Sequence, residues 1–484
     1  MLIIAINCYM KRFLTVALIL GLYCGVGVSA QQMPPIPVDP QVRIGHLDNG
    51  LTYYIRHNEE PKDQVNFYIA QKVGSVLEEE SQRGLAHFLE HMCFNGTEKF
   101  PGNSLIAYLE SIGVKFGADL NAYTSFDETV YNIDNVPVTA PGAIDSCLWI
   151  LHDWADGLLL TDEDIDHERG VIHEEWRTRR NAGIRMIEAA FPRMYPDCRY
   201  AERMPIGLVE VIDNFPYQVI RDYYHKWYRP DLQGVVVVGD IDVDEIEGKI
   251  RDIFGGIPAP VDPAERVYFP VGDNQEPEVI MVKDKEQPYA ISMLFSKHDP
   301  YPDEMKGNLN YFVYDYAVSM IDIMMANRIQ EMMDAPDPAF IQAQISDGEY
   351  YVAKTKSAFT GIAVTSEAGL DRGVTAVYRE MLRAQRHGFT EGEYERARAD
   401  YLAHVESAYN DRAKIKSRSL CKEYVRNFIE NEPIPGIENE YALALKLAPK
   451  VVIKERSEFR LKEYGCTEFF GGKSSRVKFG FIKR

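Results

Sequence analysis

The sequence predicts an α+β fold built as two domains of similar size, and three observations carry that expectation. Alternating, strand-like runs and helically periodic runs are mixed along the chain without the regular strand–helix beat of a parallel sheet. At 484 residues the chain is longer than one ordinary core serves. The stretch 258–278, "PAPVDPAERVYFPVGDNQEPE", holds several prolines and few apolar runs, so it divides the chain near its middle.

Taken in order, Lys11 and Arg12 precede the apolar run "FLTVALILGLYCGVGV", which ends in Val28-Ser29-Ala30. This reads as a secretory signal peptide over 1–30, removed before Gln31, because the run is short for a membrane span. No later segment is long and apolar enough to cross a bilayer, and export with no stable membrane span follows as the expectation. Residues 31–42 form a proline-rich linker, and 43–257 a first domain. There, "VRIGHLDNGLTYYIRHN" carries an Asp-Asn-Gly turn between alternating runs and predicts a hairpin. "QVNFYIAQKVGS" is a further strand, and the period turns helical from Gly84 to about Phe94. "NSLIAYLESIG" reads as a helix, residues 119–136 as two strands rich in Tyr, Thr and Val, and "PGAIDSCLWILHDWADGLL" as an amphipathic helix. Thr161 opens a helix with acids in its first turn. "PYQVIRDYYHKWYRPDLQGVVVVGDID" closes the region as helix, break and buried strand.

Residues 279–450 read as a second domain: strands near 279–297, a Met-rich helix over 314–334, strands near 339–365, then helices from about 369 to 448. A Met-filled core face is the expectation for "SMIDIMMANRIQEMMD". The last stretch, 451–484, is a net basic tail of poor periodicity. Five cysteines remain after the leader, an odd number without a Cys-x-x-Cys pair, so no disulfide scaffold is expected. The formal net charge of -20 argues against nucleic acid as a partner, since phosphate contacts need clustered Lys and Arg.

The chemistry is concentrated in "RGLAHFLEHMCFNGT". On a helix His87 and His91 project from one face, one turn apart, so both imidazoles reach a single ion. Glu90 lies on nearly the same face, where its carboxylate meets a water held by the metal without having to be a ligand. A catalytic zinc usually takes a third protein ligand. In the helix at 161–180, Ile165, Ile172 and Trp176 define an apolar face, and Glu168 and Glu175, seven apart, share it, whereas Glu174 falls away. Two carboxylates aimed into a core need a charge partner. Zinc would satisfy one, and a ligand histidine's free ring N–H the other.

Together with "LNAYTSFDETVY", "ERGVIHEEW" and "WYRPDLQGVVVVGDID", in this order, the motif resembles the pitrilysin/insulinase family of inverted-motif (His-x-x-Glu-His) zinc metallopeptidases, in its bacterial secreted, periplasmic type. The resemblance spans roughly residues 40–450. It implies two domains, each an antiparallel-rich sheet packed with helices, the second lacking the motif. It further implies one Zn²⁺ per chain held by His87, His91 and Glu175, with Glu168 as the acid behind a ligand and Glu90 as general base of a zinc endopeptidase. Asn121, Ala122 and Tyr123 are implied as contacts to a peptide substrate that adds to an exposed strand edge. The family encloses its substrate between two halves, so this chain is expected to supply one half and to act as a homodimer or with a partner half. The contrasting expectation is a catalytically idle peptide-binding or structural subunit.

Overall fold

The computed structural model describes residues 2–7, 34–454 and 458–461. The body of the expected signal peptide and most of the basic tail lie outside the described residues. The chain starts with β1 (Leu2–Asn7), which occupies part of the expected leader. The first large sheet begins with β2 (Val42–His46) and β3 (Thr52–His57), the hairpin anticipated around Asp48-Asn49-Gly50. Gly50 sits at φ 99°, left-handed backbone that glycine adopts without strain. Next come β4 (Gln64–Gln71), the short helices α1 (Leu85–Met92) and α2 (Ser104–Ser111), and the hairpin β5 (Leu120–Thr124) and β6 (Thr129–Pro137).

Five helices follow that matter here. α3 (Ala143–Asp156) buries its apolar stripe under the sheet, Trp154 included. α4 (Asp162–Arg179) opens as anticipated: the Thr161 hydroxyl caps it by accepting from the Asp164 amide. α5 (Ala182–Met194) was not legible, because Pro192 and the arginine run before it obscure the pattern; Asn181 caps it and Met186, Ala190 and Phe191 are buried. α6 (Tyr217–Trp227) leads into β7 (Gln233–Gly239), and α7 (Val243–Phe254), capped by Asp242, ends the region.

The strand order β2-β3-β7-β4-β6-β5 makes β5 an outer strand. The β3–β7 pairing is parallel and the remaining pairings are antiparallel. β7 is buried on both faces, which its unbroken valine run requires. Val235 and Val237 face the main core with α3 and α7, while Val236 and Val238 face a second layer.

Residues 255–277 contain no helix or strand. Beyond them lie β8 (Glu278–Val282), β9 (Ala290–His298), α8 (Leu309–Met333), β10 (Gln342–Tyr350) and β11 (Ala353–Thr365). Then come α9 (Leu370–His387), α10 (Glu391–Asn410), α11 (Ser417–Glu430), α12 (Ile437–Leu447), and a short hairpin of β12 (Val451–Lys454) and β13 (Glu458–Leu461). The second sheet has the order β10-β11-β9-β1-β8, with β1 parallel to β9 and antiparallel to β8. Met320, Met324 and Met325 of α8 fill its core, as expected of a Met-rich helix face.

The two sheets exchange a helix. α11 follows the second sheet in sequence, yet Leu420, Cys421, Tyr424 and Phe428 cover Val236, Val238 and Tyr68 of the first. A Cβ on Gly234 would lie 2.7 Å from the Phe428 ring, so only glycine lets the helix seat this closely.

Candidate metal centre

The site is assembled by α1 and α4, which pack against each other, with the β5–β6 hairpin alongside. α1 begins at Gly84, whose φ of 105° turns the chain sharply into the helix. Its free N-terminal amides are held by the wholly buried Glu78, whose carboxylate accepts from Gly84 N at 2.9 Å and Ala86 N at 2.8 Å. Burial pushes the Glu78 carboxyl up to about 8, against the pull of those two amides and of Arg203.

One turn apart, His87 and His91 stand with ring centroids 4.8 Å apart and nearly edge-on. Both turn Nε2 toward one carboxylate: His87 Nε2 is 3.5 Å from Glu175 Oε1, and His91 Nε2 is 3.2 Å from Glu175 Oε2. One donor atom from each of the three residues lies within 4.8 Å of the other two. Behind them, the His91 Nδ1–H donates to Glu168 Oε1 at 2.8 Å, and Asn95 Nδ2 donates to Glu168 Oε2 at 2.5 Å. With its outer nitrogen donating to Glu168, the His91 ring would turn Nε2 to a metal as the ligand atom.

These residues fit a divalent metal. Two imidazole nitrogens and a carboxylate converge, a set that suits zinc with a position left open for water. The electrostatics point the same way. Burial opposes charging of His91, but its hydrogen bonds to Glu168 and Glu175 outweigh that and push its pKa up to about 9. Glu175 is held far below the usual carboxylate range by its contacts with His87 and His91. Burial would raise Glu168, yet the bonds from His91 and Asn95 prevail and lower it. A pair of carboxylates strongly stabilised as anions at two histidines is a cation site by charge.

The structure brings His87, His91 and Glu175 together, with Glu168 behind His91. Glu90 is buried on α1 and accepts a hydrogen bond from Thr124 Oγ1 at 2.5 Å. Glu174 points away, exposed and paired with Arg177 at 2.7 Å. Asn121, Ala122 and Tyr123 occupy the outer strand β5, Tyr123 exposed and Ala122 leaning on the core. Three contributors were not read from the sequence. Asn95 lies in the turn beyond the end of α1, so helix spacing does not reveal its approach to Glu168. Arg179 stands one turn beyond Glu175, at 2.7 Å from its carboxylate. Thr124 carries no local signal, because its partner Glu90 is 34 positions away.

Comparison with known proteins gives the family of the chain. Residues 53–195 match the insulinase family (Peptidase family M16), and residues 214–312 match the M16 peptidase inactive domain. Among curated relatives, a zinc protease PQQL-like protein of Arabidopsis thaliana is 33% identical over 423 residues, 86% of this chain and 40% of that protein. The probable zinc protease PqqL of Escherichia coli is 30% identical over 87% of this chain and 45% of its own length. This chain thus spans less than half the length of these relatives. Among solved structures, the first half of the periplasmic protease PqqL from Escherichia coli superimposes with a TM-score of 0.77 at 29% identity, covering 87% of this chain and 88% of that one. Pitrilysin shares the fold, with a TM-score of 0.60 at 18% identity.

Proposed function

Because the chain belongs to the insulinase (M16) family of peptidases, we propose that it is a zinc-dependent endopeptidase acting on peptides or unfolded segments. The observation that carries this reading is the convergence of His87, His91 and Glu175 with Glu90 one position from a ligand on the same helix. His87, His91 and Glu175 hold one Zn²⁺, and Glu168 fixes the His91 ring. When bound, zinc lowers the pKa of water and polarises the scissile carbonyl. Glu90 takes the proton of the attacking water and delivers it to the leaving amine nitrogen, so it is charged before the attack and again after proton transfer. Thr124 holds one Glu90 oxygen and leaves the other for the water. The substrate adds as a strand to the free edge of β5, beside Asn121, Ala122 and Tyr123, where its backbone amides find partners and hold the scissile bond near Glu90.

Replacing Glu90 by Gln should lower cleavage of a quenched peptide by about 10²–10⁴-fold while zinc content stays at one per chain. Near-normal turnover in that variant would refute the assignment of the base.

A second reading rests on the length of the match. Since the relatives are more than twice as long as the matched segment, and the first half of the Escherichia coli protease superimposes on it, these residues correspond to one half of a chamber. On that reading the chain by itself binds peptides without cutting them. We place the protein in the periplasm, on its apolar leader and on the periplasmic relative. Cleavage after Ala30 would remove β1, which lies between β8 and β9 in the second sheet. Mass spectrometry of the purified protein should find Gln31 at its N-terminus; Met1 there would contradict export by this leader.

A further inference from the structure

The outer hairpin is short and is held to its sheet from one side. β5 has five residues, pairs with β6 and, at Leu120, bridges Phe116, and turns back through Ser125–Glu128, closed by the Ser125 amide on the Glu128 carbonyl at 2.8 Å. Its turn is seated by the Ser75 and Val76 amides on the Ser125 and Phe126 carbonyls and by the Arg266–Asp127 ion pair, whereas the Glu128 side chain is held from the other sheet. Lys354, near the start of β11, places its ammonium on the Glu128 carboxylate and at 3.0 Å from Glu430, the last residue of α11. Glu128 in turn accepts from the Tyr123 hydroxyl at 2.8 Å. The cluster is largely shielded, with Lys354 and Glu128 side chains 17% and 14% exposed. Burial would lower the Lys354 ammonium, but the two facing carboxylates outweigh it and raise it, so the cation is retained.

We propose that Lys354 is a positioning residue for peptide binding: through Glu128 it fixes the Tyr123 ring, so that the second sheet sets the geometry of the edge to which substrate adds. Removing the ammonium leaves Glu128 and Glu430 facing each other in a poorly solvated space, where like charges repel. Glu128 then turns away, the Tyr123 hydroxyl loses its acceptor, and β5 loosens. The inference rests on the peptidase reading above, in which β5 is the substrate edge.

The test uses the full chain with Glu90→Gln as parent, so that peptide is bound and not consumed. A fluorescein-labelled, proline-free peptide is titrated by anisotropy against the parent, Lys354→Met, Lys354→Arg, Tyr123→Phe and the double variant Lys354→Met/Tyr123→Phe. Lys354→Met should weaken binding about tenfold, and the double variant should be no weaker than the worse single, since contacting residues on one path are not additive. Lys354→Arg, which keeps the charge, should restore most of the affinity. Hydrogen exchange should accelerate at residues 120–129 in Lys354→Met, with the α1 and α4 amides and the zinc content unchanged. A merely structural lysine would instead loosen the whole molecule or release the metal. Parent-like binding and exchange in Lys354→Met, additive losses in the double variant, or loss of zinc would each overturn the proposal. If Lys354→Met does not fold, Glu128→Gln is the substitute: faster exchange confined to 120–129 supports the proposal, and unchanged exchange refutes it. Absence of binding in the Glu90→Gln parent strikes the peptidase reading itself, whereas normal parent binding with an indifferent Lys354→Met strikes this inference alone.

Discussion

The two acids of α4 have separate tasks that their contacts distinguish. Glu175 meets the Nε2 atoms of both histidines, whereas Glu168 meets only the outer nitrogen of His91. Glu175→Gln should therefore strip the metal to near-background occupancy, because a neutral amide replaces the charged donor. Glu168→Gln should retain metal with an affinity lower by about 10–100-fold. Zinc analysis after dialysis against a graded chelator separates the two; equal losses would contradict the division. At this scale much was legible in the sequence. The i, i+4 spacing of His87 and His91, and the i, i+7 spacing of Glu168 and Glu175 on an apolar face, follow from helix geometry alone. Thr124 and Lys354 were not legible, because their partners lie far away in sequence and meet them only through sheet pairing and sheet-to-sheet contact.

Among the elements, α1 is the one whose placement matters most for chemistry, and Glu78 anchors its start. An unfolded carboxyl here titrates near 4.5, and the folded one at about 8. Between those values the folded chain keeps a proton that the unfolded chain releases. Stability contributed by this group therefore falls as pH rises through that window, by up to about 1.4 kcal/mol per unit. Glu78→Gln cannot ionise and should flatten that part of the slope; thermal melts at several pH values between 5 and 8 check it. An unchanged slope in the variant would show that the carboxyl is not the group responsible. Similarly, Thr161→Ala removes the cap of α4 and should lower stability by about 1 kcal/mol, read from denaturant melts. Existence and order of most elements could be read from periodicity, since strand and helix periods differ sharply. α5 escaped because Pro192 in its last turn and the arginines ahead of it mask the stripe that Met186, Ala190 and Phe191 form.

For the whole molecule, the mixed α+β class is a consequence of patterning that a sequence displays. The crossing of α11 onto the first sheet is not, because its apolar stripe specifies burial without naming the surface it covers. That crossing ties the two sheets through the Phe428–Gly234 contact and the Lys354 cluster, and so brings the second sheet to bear on the edge of the first. The chain spans less than half the length of the curated relatives it matches. The claim beneath all of this is that His87, His91 and Glu175 hold a zinc ion that Glu90 puts to use. Its most direct test is cleavage of a quenched peptide by chelator-stripped protein titrated with zinc. The account predicts no cleavage in the stripped protein and full recovery at one zinc per chain; cleavage that persists in the stripped protein would contradict it.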